Sequence, residues 1–332
     1  MGMAMGTSVD GTVDQVPGQA VAANRVLLVL AGLAALLVFG TDALLTRSAW
    51  FWVVAEDWGS GRLLEAEARL QKASAGDWDV LFIGSSVAAT NIDAETVEHG
   101  LHLRPGAVAK VDVAGAVALE FAMYSRELVR LRPRTLVYVF TAGTVTSDIE
   151  WDLVRPYDPS VALELFSLPE LVAGREFHAG GLLRAANVLI RHRADLRYGA
   201  VGVITRGRGP ALWREERMRW ISHVPELPNV NTHALALLAR RAIEADIAVV
   251  LASSPLGREN RVQRETRLAA ESYLAELGEQ RGFRVVGAGD AQLRLAADLW
   301  DDRLHLGREG ARIFSESLVP ALAEALLTKP PQ

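Results

Sequence analysis

Cysteine is absent from the 332-residue sequence, and a positive charge excess is absent too. The lack of cysteine excludes disulfide bonds and thiolate metal sites, but a domain of this length can be stable without disulfides in any compartment. The 35 Lys and Arg residues against 40 Asp and Glu residues give a net charge of -5. Because nucleic-acid recognition usually needs a clear basic excess, we expect no nucleic-acid partner.

Charged residues are also missing from one stretch near the N-terminus. Residues 26–41 are uncharged and mostly apolar, and the apolar character continues through Leu45, giving the length that crosses a bilayer as a helix. Asp42 would then lie near a headgroup region, and Trp50, Phe51 and Trp52 would follow as interfacial aromatics. We predict a disordered tail over residues 1–24 and a single-pass transmembrane anchor over residues 25–46.

Two alternatives compete for this apolar segment. A cleaved signal peptide would need a basic region before it and a small-residue cleavage site after it, and neither is evident. A buried core helix of a globular domain would normally carry a polar stripe, which residues 26–39 lack. An uncleaved anchor is therefore favoured, although Lys and Arg are too evenly distributed across the two flanks to indicate its orientation.

The rest of the chain alternates apolar strands with helical stretches. Residues 47–77 are predicted to form a linker with an amphipathic helix at Trp58–Ala75. Predicted strands follow at 80–83, 107–113, 135–140, 247–252 and 283–286, with helical patterns between them and a closing helix at 310–327. Because this alternation is typical of a parallel sheet covered on both faces, we predict an α/β domain over residues 78–328, a flavodoxin-like three-layer sandwich with a mainly parallel sheet.

Residues 147–230 interrupt the alternation. The segment is too long for a plain loop, and helical patterns are predicted within it at 161–171 and 181–197. It is rich in arginine and contains Trp213 and Trp220. We interpret it as an insertion over the active-site edge of the sheet, with its arginines forming either a solvated face or a surface for anionic groups.

The first chemical motif follows the first predicted strand, where the chain continues as Gly84-Ser85-Ser86. Ligands bind at the carboxyl ends of strands in open α/β sheets, so Ser86 is well placed to act as a nucleophile. The same turn also fits an ordinary connection or a phosphate-binding cradle. The cradle hypothesis ranks lower because the lysine and the longer glycine loop of nucleotide-binding motifs are missing.

The second motif lies near the C-terminus, where Asp302 precedes His305 by one helical turn. A carboxylate at this spacing can reach Nδ1 of the imidazole and leave Nε2 free to take a proton from a serine. The alternative is a surface acid beside a helix-capping histidine. Because each motif supplies what the other lacks, we predict a triad of Ser86, His305 and Asp302.

These two motifs resemble the first and last sequence blocks of the SGNH, or GDSL-type, hydrolases. Gly84-Ser85-Ser86 is similar to the family's Gly-x-Ser, with serine in place of the usual aspartate, and Asp302 with His305 is similar to its Asp-x-x-His. Gly310 stands where the family often has a glycine opening the final helix. The resemblance spans about residues 78–327 and implies an esterase or acyltransferase that works through an acyl-enzyme without a metal or organic cofactor.

A Gly-Ser-Ser version behind a membrane anchor resembles proteins that act on cell-envelope polymers. That resemblance implies a catalytic domain on the extracytoplasmic side of the membrane and an acylated polysaccharide or lipid-linked substrate. It is also compatible with a membrane acyltransferase as partner. Hydrolysis and acyl transfer to a hydroxyl both remain open.

Between these two motifs, the sequence matches the family pattern less well. For the oxyanion, the resemblance implies a glycine after the second strand, for which Gly115 is the candidate, together with the backbone N–H of Ser86. No asparagine follows the third strand, so Thr141 and Thr144 are the candidate replacements. This departure makes a catalytically silent, envelope-binding scaffold the main rival function. The histidines outside the triad share no ligand spacing, so we expect no metal site.

Overall fold

The computed structural model describes residues 17–56, 63–146, 157–192, 226–257, 259–289 and 295–327. The chain divides into two compact units, residues 1–48 and residues 49–332. The first unit contains helix α1 (Pro17–Thr46), of which Leu27–Thr46 is apolar and long enough to cross a bilayer, with a mean hydropathy of 2.2. The helix begins upstream of the predicted anchor, because Pro17 suits the first turn of a helix. Residues 17–24 of the predicted tail are thus helical, and residues 1–16 lie outside the described ranges.

The second unit contains the α/β domain. Its elements in chain order are α2 (Ala49–Glu56), α3 (Leu63–Lys72), β1 (Val80–Gly84), α4 (Ser86–Thr90), α5 (Ala94–Gly100), β2 (Val108–Asp112), α6 (Ala118–Met123), α7 (Ser125–Leu131), β3 (Thr135–Phe140), α8 (Ala142–Thr146), α9 (Pro159–Leu165), α10 (Leu168–Ala173), α11 (Arg175–Ala186), α12 (Val188–Arg191), α13 (Val230–Glu244), β4 (Ala248–Ser253), α14 (Arg261–Arg281), β5 (Arg284–Val286) and α15 (Arg308–Leu327). A single 3₁₀ turn at Ala297–Leu299 precedes α15.

The five strands form one parallel sheet in the order β2-β1-β3-β4-β5. This is the doubly wound, flavodoxin-like order, so the predicted fold class is confirmed. All residues of β1 and β3 are buried, as expected for strands covered by helices on both faces. The order also places β1 beside β3, with Gly84 in register with Val139.

Two hydrophobic layers sandwich the sheet. Along β1, Leu81 and Ile83 pack into one layer, and Val80 and Phe82 pack into the other, as the alternation of side chains along a strand requires. The first layer is completed by side chains from α3, α6, α7, α13 and α14, and the second by side chains from α4, α5 and α15. The helix that carries Ser86 and the helix after His305 therefore lie on the same face of the sheet.

Segments before and within the domain differ in detail from the sequence predictions. The predicted helix at residues 58–75 is observed as α3, and its first residues lie outside the described ranges. The predicted helix at residues 161–171 is broken, because Ser167 forms a capping box that starts α10. The predicted helix at residues 181–197 is broken at Asn187, whose side chain caps α12. Serine and asparagine side chains favour helix caps. They therefore end helices that the hydrophobic periodicity of the sequence alone would extend.

The aromatic residues predicted to lie at a membrane interface divide into two groups. Trp50 is exposed, but Phe51 and Trp52 are buried, with their rings in edge-to-face contact at 5.0 Å. The prediction of an interfacial role is thus wrong for Phe51 and Trp52 because packing removes both rings from solvent.

A buried ionic cluster ties α3 to the inserted helices. Glu67 is 2% exposed, and its carboxylate accepts hydrogen bonds from Arg191 at 2.6 Å and from the Tyr124 hydroxyl at 3.1 Å. Nε2 of His192 lies 2.8 Å from Oε2 of the same carboxylate. Arg191, whose side chain is 13% exposed, is therefore a partly buried partner of Glu67 rather than part of the solvated face predicted for the insertion. Burial raises the pKa of Glu67, but the facing His192 and Arg191 outweigh it and lower the pKa to about 2.

Replacing this carboxylate should destabilise the fold. Glu67→Gln leaves the partly buried Arg191 cation without its counter-ion, so we expect the free energy of unfolding at pH 7 to fall by about 3 kcal/mol. Because the folded-state pKa is lowered, the stabilisation by ionised Glu67 is complete above its ordinary pKa of 4.5 and is lost as the pH falls towards about 2. The difference in the free energy of unfolding between wild type and Glu67→Gln should therefore become smaller as the pH falls through this acidic range.

Denaturant titrations of the full chain at several pH values provide the measurement, with Glu276→Gln as control. Glu276 is an exposed carboxylate within α14, so its replacement should change stability by less than about 0.5 kcal/mol. Equal stabilities of the two variants would show that the cluster contributes nothing to the fold.

Candidate active site

Ser86 is positioned by a close approach of two strands and a helix. A Cβ atom at Gly84 would lie 2.5 Å from the carbonyl oxygen of Val139 and 3.0 Å from the Cβ of Ala88. Only glycine fits there, so β1 can end tightly against β3 and the chain can turn at once into α4. Ser86 is the first residue of α4, and its backbone N–H has no acceptor within that helix. Its side chain and N–H therefore lie together at the carboxyl edge of the sheet.

Lys110 holds the other end of α4. Its ammonium group, on β2, donates to the carbonyl oxygens of Ala89 at 2.7 Å and Ile92 at 2.9 Å. A cation at a helix C-terminus satisfies carbonyls that lack intrahelical donors and complements the helix dipole. Burial lowers the pKa of Lys110, although Asp112 and Asp93 act in the opposite direction. The helix that carries Ser86 is thus anchored to the sheet beneath it.

His305 is presented by a hairpin-like loop between the 3₁₀ turn and α15. Trp300 and Leu306 form an antiparallel bridge, and the N–H of Asp301 donates to the carbonyl oxygen of His305 at 2.9 Å. The loop closes where the N–H of Gly307 donates to the carbonyl oxygen of Leu299 at 2.9 Å. A Cβ at Gly310 would lie 2.6 Å from that same oxygen, which explains the glycine at the start of α15.

The three predicted triad side chains are in mutual contact. Nε2 of His305 lies 2.8 Å from Oγ of Ser86, and Nδ1 lies 2.7 Å from Oδ2 of Asp302. The other oxygen of Asp302 accepts hydrogen bonds from the backbone N–H groups of Leu304 at 2.7 Å and His305 at 2.8 Å. The carboxylate is therefore held by its own loop while it orients the imidazole.

The charge of Asp302 determines which nitrogen of the His305 imidazole carries the proton. Partial burial raises the pKa of this carboxyl, but hydrogen bonds from the N–H of Leu304 and from the ring and N–H of His305 bring the pKa below its ordinary value. Asp302 is thus ionised at neutral pH and can only accept hydrogen bonds. The neutral imidazole then bears its proton on Nδ1, which leaves Nε2 to accept the proton of Ser86.

The candidate oxyanion residues have different surroundings. Gly115 has a φ of 73° and lies exposed in a turn after β2, and within the described part of the chain no hydrogen bond engages its N–H. Thr144 is unsuited to the role because its hydroxyl donates to the carbonyl oxygen of Thr141 at 3.0 Å and accepts from the N–H of Thr141 at 3.1 Å. The hydroxyl of Thr141 accepts from the N–H of Thr144, at 3.4 Å, and donates to no acceptor within the described part of the chain. Ser86, Gly115 and Thr141 remain candidates.

Sequence reasoning missed Asn91, which contacts the histidine loop, and Ser254, which contacts Asn91. Asn91 and Ser254 are both fully buried, and the Asn91 amide donates to the Ser254 hydroxyl at 2.8 Å and to the carbonyl oxygen of Leu304 at 2.9 Å. Asn91 ends the short helix that Ser86 begins, a position where asparagine is common for local reasons. Nothing in the chain order indicates that its partners come from distant segments.

The expectation that the histidines outside the triad form no metal site can be compared only with the residues that the structure describes. Among the described residues, no group of three or more His, Asp or Glu side chains is placed to hold a metal ion. His192 contacts Glu67, and His223 and the side chain of His178 lie outside the described part of the chain.

Comparisons with known proteins identify low-level structural similarity only. No protein-family profile matches the chain, and no curated protein does. An acetylxylan esterase from Geobacillus stearothermophilus is 12% identical with a TM-score of 0.40, covering 76% of this chain and 96% of its own. A GDSL-like lipase from Bacteroides thetaiotaomicron is 13% identical with a TM-score of 0.38, covering 74% of this chain and 88% of its own. An α/β hydrolase from the metagenome of Lake Arreo, Spain, is 11% identical with a TM-score of 0.41, covering 76% of this chain and 97% of its own. At such values, the function must be argued from the site itself.

The geometry predicts the effect of removing the negative charge of Asp302. Asp302→Asn keeps an oxygen for the two backbone N–H groups, so the loop should stay folded. Its amide can donate to Nδ1, which favours the tautomer with the proton on Nε2 and blocks proton removal from Ser86. We expect kcat for a small activated ester to fall by about 10⁴-fold with little change in KM.

Asp301→Asn is the matched control, because it makes the same change at the neighbouring exposed position. Steady-state kinetics on both variants provide the measurement. An Asp302→Asn variant as active as the Asp301→Asn variant would contradict the assigned role of Asp302.

Proposed function

We propose that the protein is a serine-dependent enzyme of the SGNH type that acts on carboxylic esters through an acyl-enzyme. The observation that carries the proposal is the continuous chain of hydrogen bonds from Ser86 through His305 to Asp302, at 2.8 and 2.7 Å. A serine used only to cradle a phosphate, or only to cap a helix, has no need of a histidine and an oriented carboxylate. The triad is recognised by these geometric roles rather than by chain order.

The mechanism follows from the atoms in contact. Nε2 of His305 takes the hydroxyl proton as Oγ of Ser86 bonds to the ester carbonyl carbon, and the imidazolium is stabilised by Asp302. The negative charge on the carbonyl oxygen would be met by the N–H groups of Ser86 and Gly115 and by the hydroxyl of Thr141. His305 then gives its proton to the departing alcohol, which leaves the acyl group on Ser86.

The second half-reaction decides between an esterase and an acyltransferase. Attack by water on the acyl-enzyme releases a carboxylic acid, whereas attack by a sugar or polyol hydroxyl forms a new ester. In both cases His305 removes a proton from the attacking hydroxyl, and Ser86 regains one as its bond to the acyl carbon breaks. We propose an acylated polysaccharide or lipid-linked envelope molecule as substrate, a proposal that rests on the resemblance to envelope proteins and on the apolar helix Leu27–Thr46.

The same considerations lead to a proposed location. We place the protein in a membrane through α1, with the catalytic domain on the extracytoplasmic side and a membrane acyltransferase as the source of acyl groups. Digestion of the domain by protease added to intact spheroplasts supports this orientation, and full protection contradicts it. We further propose that Trp213 and Trp220 of the insertion help to select the substrate by stacking on sugar rings, and both residues lie outside the described part of the chain.

Replacing each of the adjacent serines tests the central proposal. With p-nitrophenyl acetate, the wild type should release nitrophenol, and Ser86→Ala should lower kcat by about 10⁴-fold or to the uncatalysed rate. Ser85→Ala is the control, because Ser85 is buried at the N-cap without a side-chain capping bond and should be dispensable for chemistry. Formation of an acetylated product with an added polyol distinguishes transfer from hydrolysis.

The main rival is a catalytically silent scaffold, which the engagement of Thr144 favours by removing one oxyanion donor. A folded wild-type protein that neither hydrolyses nor transfers the acetyl group would support the scaffold and end the enzymatic proposal. Equal activity of the wild type and the Ser86→Ala variant would assign any turnover to another group.

A further inference from the structure

The side chain of Asn91 forms hydrogen bonds with the main chain of the residues immediately before and after His305. Its side-chain amide donates to the carbonyl oxygen of Leu304 at 2.9 Å, and its side-chain oxygen accepts from the N–H of Leu306 at 2.8 Å. These two residues flank His305 in the chain. The amide thus holds the backbone of the histidine loop much as a neighbouring strand would, with one donor and one acceptor.

The same side chain reaches two further partners. The amide also donates to the hydroxyl of Ser254 at 2.8 Å, and the hydroxyl of Thr90 donates to the amide oxygen at 2.9 Å. Ser254 follows β4 directly, and its N–H donates to the carbonyl oxygen of Phe140 at 2.7 Å. Asn91 therefore links the end of α4 to the ends of β3 and β4 and to the histidine loop.

The chemistry of these partners specifies the orientation of the amide. The carbonyl oxygen of Leu304 can only accept and the N–H of Leu306 can only donate, so the nitrogen and oxygen of Asn91 cannot be exchanged. Asn91 is fully buried and its polar atoms are satisfied. An aspartate there would lack the donors, and an apolar residue would leave both loop groups unsatisfied in the interior.

We infer that Asn91 is a positioning residue that sets the distance between Ser86 and His305, an inference that rests on the proposed function. Ser86 begins α4 and Asn91 ends it, so one short helix carries both the nucleophile and the group that holds the loop of its general base. The side-chain partners of Asn91 are Thr90, Ser254, Leu304 and Leu306, none of which belongs to the triad. It acts through the backbone of residues 304 and 306.

Two substitutions test this inference in the full chain. Asn91→Ala removes every contact, so kcat for p-nitrophenyl acetate should fall by about 10²-fold while KM changes little, because misplacement of about 1 Å has such an effect. Asn91→Asp keeps the acceptor for Leu306 but loses the donors. Burial raises the pKa of the introduced carboxyl, and its protonated form can donate to Leu304. The rate of the Asn91→Asp variant relative to wild type should therefore rise as the pH is lowered.

Asn231→Ala is the matched control. Asn231 is also a fully buried amide, and its oxygen accepts from the N–H of Leu119 at 3.3 Å, so its replacement removes a buried hydrogen-bonded amide from the opposite layer of the fold. Circular dichroism verifies folding of each variant. A kcat for Asn91→Ala no lower than that for Asn231→Ala, or a pH-independent rate ratio for Asn91→Asp, would overturn the inference.

A readout that needs no turnover separates this inference from the proposed function. Nε2 of His305 lies 2.8 Å from the Ser86 hydroxyl, so the ¹⁵N NMR resonance of Nε2 should differ between wild type and Ser86→Ala, and Asn231→Ala should match the wild type. A shift of this resonance in folded Asn91→Ala towards its Ser86→Ala position supports positioning even if the wild type proves inactive, which would reject only the proposed function. An unchanged Nε2 resonance in Asn91→Ala would overturn the inference even if the enzyme proves active.

Discussion

The hydrogen bond between Ser86 and His305 joins residues that are 219 positions apart in the chain, and the site depends on keeping it short. The parallel sheet provides the common edge, because β1 and the loop before α15 are brought to the same carboxyl end. Gly84 permits the tight exit of β1 beside Val139, and Gly307 and Gly310 permit the tight closure of the histidine loop. A side chain at Gly84 or Gly310 would displace one partner of the bond.

Polar groups that are wholly or partly buried in this domain are placed where segments distant in sequence must stay together. Lys110 joins β2 to the end of α4, and Glu67 joins α3 to Arg191 of the inserted helices. Such groups are stabilising only while their partners are present, since a lone buried charge or amide is costly. The insertion is therefore partly integral to the fold, at least through α12, rather than a cover that rests on a complete domain.

Local patterns predicted the sheet and the identity of the triad, whereas long-range partners escaped prediction. The apolar strand before Gly84 and the spacing of Asp302 and His305 are short-range signals, and both correspond to observed geometry. The commitment of Thr144 to the main chain of Thr141 depends on a local turn that composition does not reveal. The contacts of Asn91 with Ser254 and Leu304 depend on the fold itself, so no pattern near Asn91 could indicate them.

The central claim is that Ser86 is a nucleophile activated by His305. The most direct measurement is peptide mapping by mass spectrometry after treatment of the full chain with a fluorophosphonate, which bonds covalently to activated serines. The account predicts a single adduct on Ser86, lost in His305→Ala and retained in Ser85→Ala. A folded protein that gives no adduct, or one that is labelled equally well without His305, would contradict it.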